Sequence, residues 1–414
     1  MTRLILTDAN VLDGENPGRR ATVVVNGERI EAVCEGVFDA RPGDRVVALG
    51  GRTVMPGMVQ AHFHASYWDA GGVRPLGLEV PPSQTVLRAA ANFRKALGCG
   101  FTATIGGGCP HAIDPAMKAA IAEGSAIGPR IMAGSRDISS TGHSGDMSYP
   151  AYMEIGARGG VHIADGPGEV RKAVRMESKD GAEIVKLFAT RGHGTGGTGA
   201  EWDMSRDEIS AAVEAATERG IKTRAHVASR DAVLFCIDAG VHIIDHGDGF
   251  DEACIDRILT RGAYLTPSLY FPWRMMQIAP GIPYTDAMKP EFEAMARILP
   301  IANQAGVKLL TGDDFGARGV DHGTYAEELI LYVEKCGIPA LDVIRWATRN
   351  GAEAMGMGDS TGTIAAGKLA DLLVVDGDPS ADITVLRDKA NLHAILLGGA
   401  AIKDELDQLA RPAH

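Results

Sequence analysis

The feature that most constrains the fold is a regular alternation of short apolar segments with amphipathic segments through the middle of the chain. This alternation is typical of βαβ units and a parallel sheet. Eight strand segments are predicted, which is a number that closes a barrel. They cover 57–62, 101–105, 130–133, 183–188, 222–226, 241–246, 263–267 and 308–312. Helices are predicted over 206–219, 229–239, 251–261 and 290–305. We therefore expect an α/β fold with a (β/α)8 TIM barrel at its centre.

Both ends of the chain show a different pattern, in which short β-branched runs are separated by turn residues. Near the start these runs are 4–6, 22–25 and 30–33, and near the end they are 370–377 and 393–399. Two β segments flanking a long middle predict one small β-sandwich domain built from both termini. The expected domain limits are 1–56 and 357–414 for the sandwich and 57–356 for the barrel.

Composition excludes some partners and favours others. A formal net charge of −12 argues against a nucleic-acid partner, because no basic stripe is present to neutralise phosphates. No apolar run reaches the 18 residues of a membrane span. Six scattered cysteines without a CxxC pair, and a start that has no secretory leader, favour a reducing cytoplasm. The expected partner is a small-molecule substrate, and a homo-oligomer is compatible with the sequence.

Ionisable residues recur where the predicted strands end, which is where barrel enzymes carry their chemistry. His62 and His64 close the first strand, and alternation along a strand places both imidazoles on the same side. Such a pair is suited to binding one divalent metal, although a bare HxH is also common by chance. His226 and His246 end the fifth and sixth strands, 20 residues apart, so we expect them at the same height.

Lys186 lies inside the apolar fourth strand, where an unpaired ammonium would be costly. It either reaches solvent or a carboxylate, or it is a neutral amine carboxylated by carbon dioxide whose oxygens bridge two metals. The eighth strand ends in Asp313-Asp314, and a carboxylate there suits a metal ligand and general base as well as a helix cap. Histidine, lysine and aspartate on five strands form a more specific pattern than any member of it.

The sequence strongly resembles the amidohydrolase superfamily, in the binuclear subtype with a carboxylated lysine. Segment 54–64 (VMPGMVQAHFH) resembles the PGxxDxHxH motif at the start of the family's barrel, with Gln60 where aspartate is usual. Segment 362–376 (GTIAAGKLADLLVVD) is similar to the family's return into its β-sandwich. Three further segments resemble the imidazolonepropionase-like branch, which includes prolidases: 141–146 (TGHSGD), 185–190 (VKLFAT) and 243–247 (IIDHG).

This resemblance implies a role for each candidate. Two divalent metals are implied, with zinc suiting the histidine-rich set and manganese, cobalt or iron also compatible. The implied ligands are His62 and His64 on one metal, His226 and His246 on the other, carboxylated Lys186 between them, and an aspartate. An ungapped match to the family's GTDAG motif assigns that aspartate to Asp314, which would also be the general base, and Asp313 remains an alternative.

The resemblance further implies that His143 contacts the scissile carbonyl or the substrate carboxylate. Side chains on the predicted loops would set specificity, and these are Arg191, His193, Trp202, Tyr270 and Arg318. The expected activity is hydrolysis of an amide bond in a dipeptide or N-acyl amino acid by a metal-bridging hydroxide. Hydrolysis of a urea, carbamate, lactone, cyclic amide or phosphotriester is the alternative within this fold, and a non-catalytic scaffold is the alternative outside enzymes.

Overall fold

The structure is a computed structural model that describes residues 2–36, 38–70, 80–147, 159–192 and 199–409. The chain forms two compact units. The first comprises Met1–Gln60, Lys95–Ala103 and Tyr325–His414, and the second comprises Ala61–Arg94 and Thr104–Thr324. Residues from both ends of the chain therefore belong to the same unit. The exact domain limits expected from the sequence, 1–56, 57–356 and 357–414, stay a prediction.

The first unit is built on one eight-stranded sheet that draws strands from both ends of the chain. Its strands are β1 (Leu4–Val11), β2 (Arg19–Asn26), β3 (Arg29–Cys34), β4 (Arg45–Ala48), β5 (Thr53–Pro56), β15 (Leu372–Val375), β16 (Leu392–Leu397) and β17 (Ala400–Asp404). The path across the sheet is β17-β16-β15-β5-β1-β2-β3, and β4 pairs with β1 off this path. The predicted junction between the two ends is the antiparallel pairing of β15 with β5.

Strand β1 changes partner along its length. Its first half pairs in parallel with β4, and its end at Asn10 and Val11 pairs with β5. The change follows an irregularity between Leu6 and Ala9, where Asp8 has a φ of 51°. The described strands thus form one hydrogen-bonded sheet rather than two separately bonded layers. Side chains at alternate positions along the strands, such as Val23, Val374 and Leu396, are buried and pack together as the apolar core of this unit.

The second unit contains parallel strands of the kind that the alternation predicts. A six-stranded sheet has the order β10-β9-β11-β12-β13-β14, and each neighbouring pair in it is parallel. A three-stranded sheet has the order β6-β7-β8. The strand limits are Met58–Phe63 (β6), Phe101–Gly106 (β7), Arg130–Met132 (β8), Gly134–Ser139 (β9), Val161–Ile163 (β10), Ile184–Phe188 (β11), Lys222–Val227 (β12), Ile243–His246 (β13) and Tyr264–Thr266 (β14).

Two predicted strands differ from the structure. The third was expected to end at residue 133, but the chain continues into β9, because β8 joins β7 while β9 joins β10 and β11. The eighth, expected over 308–312, has only a single bridge at Leu309. Its backbone is nevertheless bonded on both sides, since Leu310 N–H donates to Leu265 O at 2.9 Å and Ala61 N–H donates to Thr311 O at 2.8 Å.

Three of the four predicted helices are confirmed to within one residue, and the fourth, expected over 290–305, begins earlier, at Pro283. Local interactions explain where several of them begin and end. Ser205 and Glu208 form a reciprocal capping box at the start of α5, and Asp251 accepts a backbone N–H at the start of α7. Glycines at positive φ, such as Gly240 and Gly262, end α6 and α7. The longer helices are Pro82–Gly98 (α1), Ile113–Glu123 (α2), Gly166–Lys179 (α4), Arg206–Glu218 (α5), Arg230–Ala239 (α6), Glu252–Arg261 (α7), Tyr270–Ile278 (α8), Pro283–Ala305 (α9) and Ala326–Cys336 (α10).

The remaining helices are short. They are Ser144–Met147 (α3), Ala340–Arg345 (α11), Gly351–Ala354 (α12) and Leu406–Leu409 (α13). A π-helical turn over Trp346–Asn350 joins α11 to α12. Among the helices that the structure describes, none combines the length and the apolar character needed to cross a lipid bilayer.

Gly57 provides a test of packing at the start of β6. A Cβ at this position would lie 2.1 Å from Thr102 Oγ1 and 2.4 Å from Thr102 Cγ2. We expect Gly57→Ala to lower the free energy of unfolding by about 1–3 kcal/mol, since the strand has to shift to admit a methyl group. Chemical denaturation measures this. The control is Gly98→Ala, where no atom lies within 4 Å, and an equal loss in both variants would contradict the packing argument.

Candidate metal centre

The two histidines of the HxH motif converge as alternation predicts. Strand β6 ends at Phe63, and the Nε2 atoms of His62 and His64 lie 3.1 Å apart. His62 is fully buried and His64 is 3% exposed. Two imidazole nitrogens this close require a proton or a cation between them.

The second nitrogen of each ring identifies its tautomer. His62 Nδ1 lies 3.0 Å from Ser268 Oγ, and the single hydroxyl proton of Ser268 is donated to Gly312 O at 2.8 Å. His62 Nδ1 must therefore be the donor in its contact with Ser268. His64 Nδ1 lies 3.1 Å from Gly108 O, a group that only accepts. In their neutral forms, both imidazoles therefore direct a lone pair from Nε2 toward the shared space.

Asp314 completes this group. Its Oδ1 lies 3.4 Å from His62 Nε2 and 3.2 Å from His64 Nε2. Donors bound to zinc at about 2.0–2.1 Å in a tetrahedron are about 3.3–3.4 Å apart, so the three separations fit one ion. The ligand atoms of a second compact set, His62, His246 and Asp314, lie within 4.8 Å of one another. This set supports a metal ion at the same position.

Asp313 has a different environment. Its Oδ2 accepts the N–H groups of Tyr270 at 2.7 Å and Phe271 at 3.0 Å, and its Oδ1 accepts the N–H of Asp314 at 2.7 Å. Both oxygens thus face backbone amides, as in a helix cap at the start of α8. The sequence left open whether Asp313 or Asp314 is the candidate metal ligand. In the structure, the carboxylate directed at the histidines is that of Asp314.

Electrostatics at this site favour a neutral imidazole at His62 and an ionised carboxylate at Asp314. Burial, and next the charge of Lys186, lower the pKa of His62 well below its usual value. Burial alone would raise the pKa of Asp314, but the positive charge of any imidazole among His62, His64 and His246 that binds a proton outweighs it and holds that pKa well below the usual range. Neutral nitrogen and ionised oxygen are the forms in which these groups bind metals.

His226 and His246 approach each other, although the prediction that they lie at the same height is wrong by one residue. In the register of β12 and β13, His226 is opposite Asp245, and His246 is opposite Val227. Regular alternation would then separate the two imidazoles. His246 has a φ of 64°, which leaves the strand conformation, and the ring centroids of His226 and His246 are 4.4 Å apart.

Lys186 pairs with a carboxylate that the sequence analysis did not single out. Its Nζ donates to Asp245 Oδ2 at 2.7 Å, and the two side chains are 2% and 0% exposed. Asp245 also accepts from Arg224 Nε at 3.0 Å and from a terminal nitrogen at 2.5 Å. Burial alone would raise the pKa of Asp245, but Arg224 and Lys186 hold it far below its usual range. The three residues form a buried charge network.

The loop residues predicted to set specificity occupy different surroundings. Arg191 pairs with Glu201 at 2.8 Å, and its carbonyl lies 3.1 Å from His226 Nε2. Tyr270 is 6% exposed and begins α8. The guanidinium of Arg206 lies 5.3 Å from the ring of Trp202, and Arg318 pairs with Asp69 at the surface. Among these contacts, only the one between the Arg191 carbonyl and His226 involves a histidine of the candidate metal centre.

Two of the remaining predictions concern histidines. His143 lies just before α3, and its Nδ1 is a buried nitrogen with no hydrogen-bond partner among the described residues. Ser139 Oγ donates to its carbonyl at 3.2 Å. His193 lies outside the described residues, so its predicted role is not addressed by the structure.

Several residues of the site were not predicted. The ring of Tyr67 stacks on His64 at 4.1 Å and 6°. Gly107 lies so close to both imidazole rings that a Cβ atom on this residue would be 2.6 Å from His62 Cδ2 and 3.0 Å from His64 Nε2. Asp137, opposite Lys186 in neighbouring strands, is 3% exposed, and burial raises its pKa to about 6. Asp137 lies in the polar segment Gly134–Ser139, so the sequence carried no signal of its burial.

Asp114 gives a pH-dependent test of burial near this site. It is fully buried, its Oδ2 accepts the N–H of Gly134 at 3.1 Å, and burial raises its pKa from 3.8 to about 6. The folded state therefore binds a proton more tightly than the unfolded state, so this stabilisation is lost as the pH rises from about 4 to about 6. We expect Asp114→Asn to raise stability at pH 7.5 by up to about 3 kcal/mol.

Thermal and chemical unfolding of the metal-free protein from pH 4.5 to 7.5 would measure this effect. Asp256→Asn, at an exposed position on α7, is the control and should change stability by less than about 0.5 kcal/mol. An Asp114→Asn protein that is less stable than wild type at pH 7.5 would show that ionised Asp114 is a favourable contact.

Comparison with known proteins agrees with this geometry. The model of the amidohydrolase family matches residues 53–402. Ochratoxinase of Aspergillus niger is 26% identical over 370 residues, which cover 84% of this chain and 75% of that protein. A deaminase of 5-methylthioadenosine and S-adenosylhomocysteine from Natronomonas pharaonis is 26% identical over 441 residues, covering 98% of this chain and 93% of that protein.

A solved structure extends the likeness to the fold. The crystal structure of a prolidase complexed with N-methylphosphonate-L-proline is 30% identical, with a TM-score of 0.86, and covers 97% of this chain and 100% of that chain. The family match spans most of the sequence and includes every residue of the histidine and aspartate cluster. The chain belongs to the amidohydrolase family of hydrolytic enzymes that act on carbon–nitrogen bonds.

Proposed function

We propose that the chain is a metal-dependent hydrolase that cleaves an amide bond in a dipeptide, an N-acyl amino acid or a related small molecule. The observation that carries this proposal is the convergence of two imidazole lone pairs and one carboxylate oxygen within 3.4 Å of one another. Three such donors repel one another unless a proton or a metal cation lies between them, and a divalent cation satisfies all three at once. The geometry therefore favours a catalytic site over a scaffold that has lost its metals.

We further infer that the parallel strands close into a barrel. The support is that the 308–311 segment is bonded to Leu265 on one side and to Ala61 on the other. Arg224 also reaches across this interior, because its guanidinium donates to Ala61 O and Gly106 O, both at 2.8 Å. A closed barrel would bring the ends of the first, fifth, sixth and eighth strands to one face.

In this proposal, His62, His64 and Asp314 hold one divalent cation, and His226 and His246 contribute to a second. Zinc suits the nitrogen-rich set, and manganese, cobalt or iron would also be accepted. Carboxylated Lys186 would bridge the two ions, which requires Nζ to leave Asp245. The position of Lys186 supports this step, because the side chain is 2% exposed and lies in the strand between those of Asp137 and His226.

The bound cations would supply an acidified water and a polarised substrate carbonyl. Asp314 would accept the proton of the attacking water on a carboxylate oxygen and deliver it to the leaving nitrogen. His143 would bind the substrate carbonyl or carboxylate, supported by its buried and unbonded Nδ1. Arg191, His193 and Tyr270 are proposed to contact the rest of the substrate. Cytoplasmic location and self-association stay predictions.

A single-metal site is a second candidate, and one observation favours it. Lys186 is held as an ion pair with Asp245, and the compact set His62, His246 and Asp314 suffices for one ion. One ion with a general base would also support hydrolysis of a carbon–nitrogen bond, including deamination. The deaminase relative is compatible with this alternative.

Metal content separates the two candidates. We expect about two metal ions per wild-type chain after loading with zinc and bicarbonate, and fewer in Lys186→Ala, because the bridge is absent. Elemental analysis of protein purified without chelator measures this, and Lys172→Ala, at an exposed lysine of α4, is the control. Addition of a short carboxylic acid should restore metal and activity to Lys186→Ala if a carboxylate is what the lysine supplies.

One ion in both wild type and Lys186→Ala would instead establish the single-metal site. No bound metal in wild type after reconstitution would contradict the hydrolase proposal itself. Circular dichroism of each variant would show that a lost metal does not reflect a lost fold.

The neighbouring aspartates offer a matched pair of substitutions. We expect Asp314→Asn to lower kcat/KM by about 10²-fold or more, because it removes both a ligand and the proposed base. Asp313→Asn should instead cost about 1 kcal/mol of stability through a weakened cap, with a much smaller kinetic effect. Steady-state kinetics and denaturation of both variants measure this. A larger kinetic loss in Asp313→Asn would reverse the assignment.

A further inference from the structure

The carboxylate of Asp203 collects hydrogen bonds from the loop that follows β9. Asp203 is 7% exposed, and its Oδ1 accepts the N–H of Ser140 at 2.7 Å and lies 2.9 Å from the hydroxyl of the same residue. Its Oδ2 lies 2.8 Å from Ser139 Oγ. Burial raises the pKa of Asp203 above its usual value, while hydrogen bonds from Ser144, Ser140 and Ser139 act in the opposite direction. One buried acidic side chain thus joins three serines of the loop that contains His143.

The same loop is bonded to the backbone beside His226. Ser144 Oγ accepts the N–H of Gly192 at 3.3 Å. The carbonyl of the preceding residue, Arg191, lies 3.1 Å from His226 Nε2. The loop that bears His143 is therefore attached to a segment that borders the candidate metal centre.

The backbone of His143 is held on both sides, while its ring is not. Its carbonyl accepts the N–H of Asp146 at 2.8 Å and lies 3.2 Å from Ser139 Oγ, and its own N–H donates to Ser140 O at 3.3 Å. The next residue, Ser144, has a φ of 37°, a left-handed conformation that persists only where the surroundings stabilise it. The imidazole Nδ1 is buried without a hydrogen-bond partner among the described residues, which leaves it available to a ligand.

Two other carboxylates hold this loop, but both are more exposed than Asp203. Thr141 N–H donates to Asp165 Oδ1 at 3.0 Å, and Gly142 N–H donates to Asp146 Oδ2 at 2.7 Å. Asp165 is exposed and Asp146 is half-buried. Because water competes for exposed hydrogen bonds, we expect these two carboxylates to fix the loop less firmly than the buried one.

A carboxylate suits the position of Asp203 because the groups around it are donors. The backbone N–H of Ser140 can only donate, and the hydroxyls of Ser139 and Ser140 lie within hydrogen-bond distance. An ionised carboxylate has acceptor sites on both oxygens, whereas an asparagine has to present an amide nitrogen to one side of the cluster. Asp203→Asn therefore disturbs these bonds with little change in volume.

We propose that Asp203 is a positioning residue that holds the imidazole of His143 where the substrate carbonyl or carboxylate binds. It acts through the three serines of the loop and does not contact the substrate itself. The inference rests on the proposed function, because that function assigns the substrate contact to His143. Loss of the Asp203 carboxylate should then affect the reaction only through His143.

A double-mutant cycle of Asp203→Asn and His143→Ala tests this coupling, with the best wild-type substrate among N-acetyl amino acids and dipeptides. We expect each single variant to lower kcat/KM by about ten- to a hundredfold, because a contact group is misplaced or missing. The double variant should lie within about threefold of His143→Ala, since Asp203 then has no imidazole to position. Whichever of kcat or KM changes in His143→Ala should also change in Asp203→Asn. Losses that multiply in the double variant, or an unchanged kcat/KM in either single variant, would overturn the proposal.

Asp165→Asn is the matched control, because it makes the same substitution at the same loop. It should change kcat/KM by less than about threefold, and a loss as large as that of Asp203→Asn would contradict the role of the buried carboxylate. Asp203→Asn should keep the wild-type metal content, and a loss of metal would place its effect at the metal centre instead. Ser139→Ala removes one donor and leaves the carboxylate, so it takes the place of Asp203→Asn in the cycle if circular dichroism shows that the latter does not fold.

Amide hydrogen exchange of the metal-loaded protein follows the loop without any substrate. Peptides that cover residues 139–146 should exchange about tenfold faster or more in Asp203→Asn than in wild type or Asp165→Asn, because the bonds that close the loop are weakened. Equal exchange in wild type and Asp203→Asn would overturn the proposal. If wild type cleaves none of the substrates, the hydrolase proposal is contradicted, whereas the exchange result decides separately whether Asp203 holds the loop.

Discussion

The buried network of Arg224, Asp245 and Lys186 is the interaction on which the rest of the site depends. Each member is at most 2% exposed, and an uncompensated charge in such a place costs several kcal/mol. The guanidinium has five donors and uses them on the carboxylate of Asp245 and on backbone carbonyls of Ala61 and Gly106. It therefore links β12 to β13 and to the ends of β6 and β7.

This network also explains the register of the histidines. Asp245 has to face the interior to meet both cations, and regular alternation would then direct the next residue away. The left-handed backbone at His246, with a φ of 64°, returns its imidazole to the same side. Backbone strain of this kind is stabilised by its surroundings and is typical of functional sites. The position of the His246 imidazole thus depends on the ion pairs that the preceding residue, Asp245, forms with Arg224 and Lys186.

Much of the fold was predictable because its patterns are local. The helices from α5 to α7 follow from periodicity and caps, and the sheet of the first unit follows from β-branched runs at both ends. The broken third strand was not predictable, because it depends on β8 and β9 having different neighbours. The reduction of the eighth predicted strand to a single bridge at Leu309 was not predictable either. No sequence pattern shows which backbone groups a segment will bond to.

The site was predictable to a similar degree. His62, His64, His246 and Asp314 stood out by type and place, and the structure brings them together. The partner of Lys186 was missed, although Asp245 showed a similar signal, a charged residue directly after the apolar pair Ile243-Ile244. Arg224 lies among polar residues of β12 and had no such signal. Ser268 and Gly108 could not be found at all, because a single hydroxyl and a carbonyl that hold a ring nitrogen have no sequence pattern.

The central claim is that the lone pairs of His62 and His64 and the carboxylate of Asp314 enclose a metal ion. Anomalous diffraction at the zinc absorption edge, from crystals of the zinc-loaded protein, tests it most directly. We expect one peak about 2.0–2.2 Å from His62 Nε2, His64 Nε2 and Asp314, and a second beside His226 and His246 if the site is binuclear. Loaded crystals with no peak among His62, His64 and Asp314 would contradict the claim.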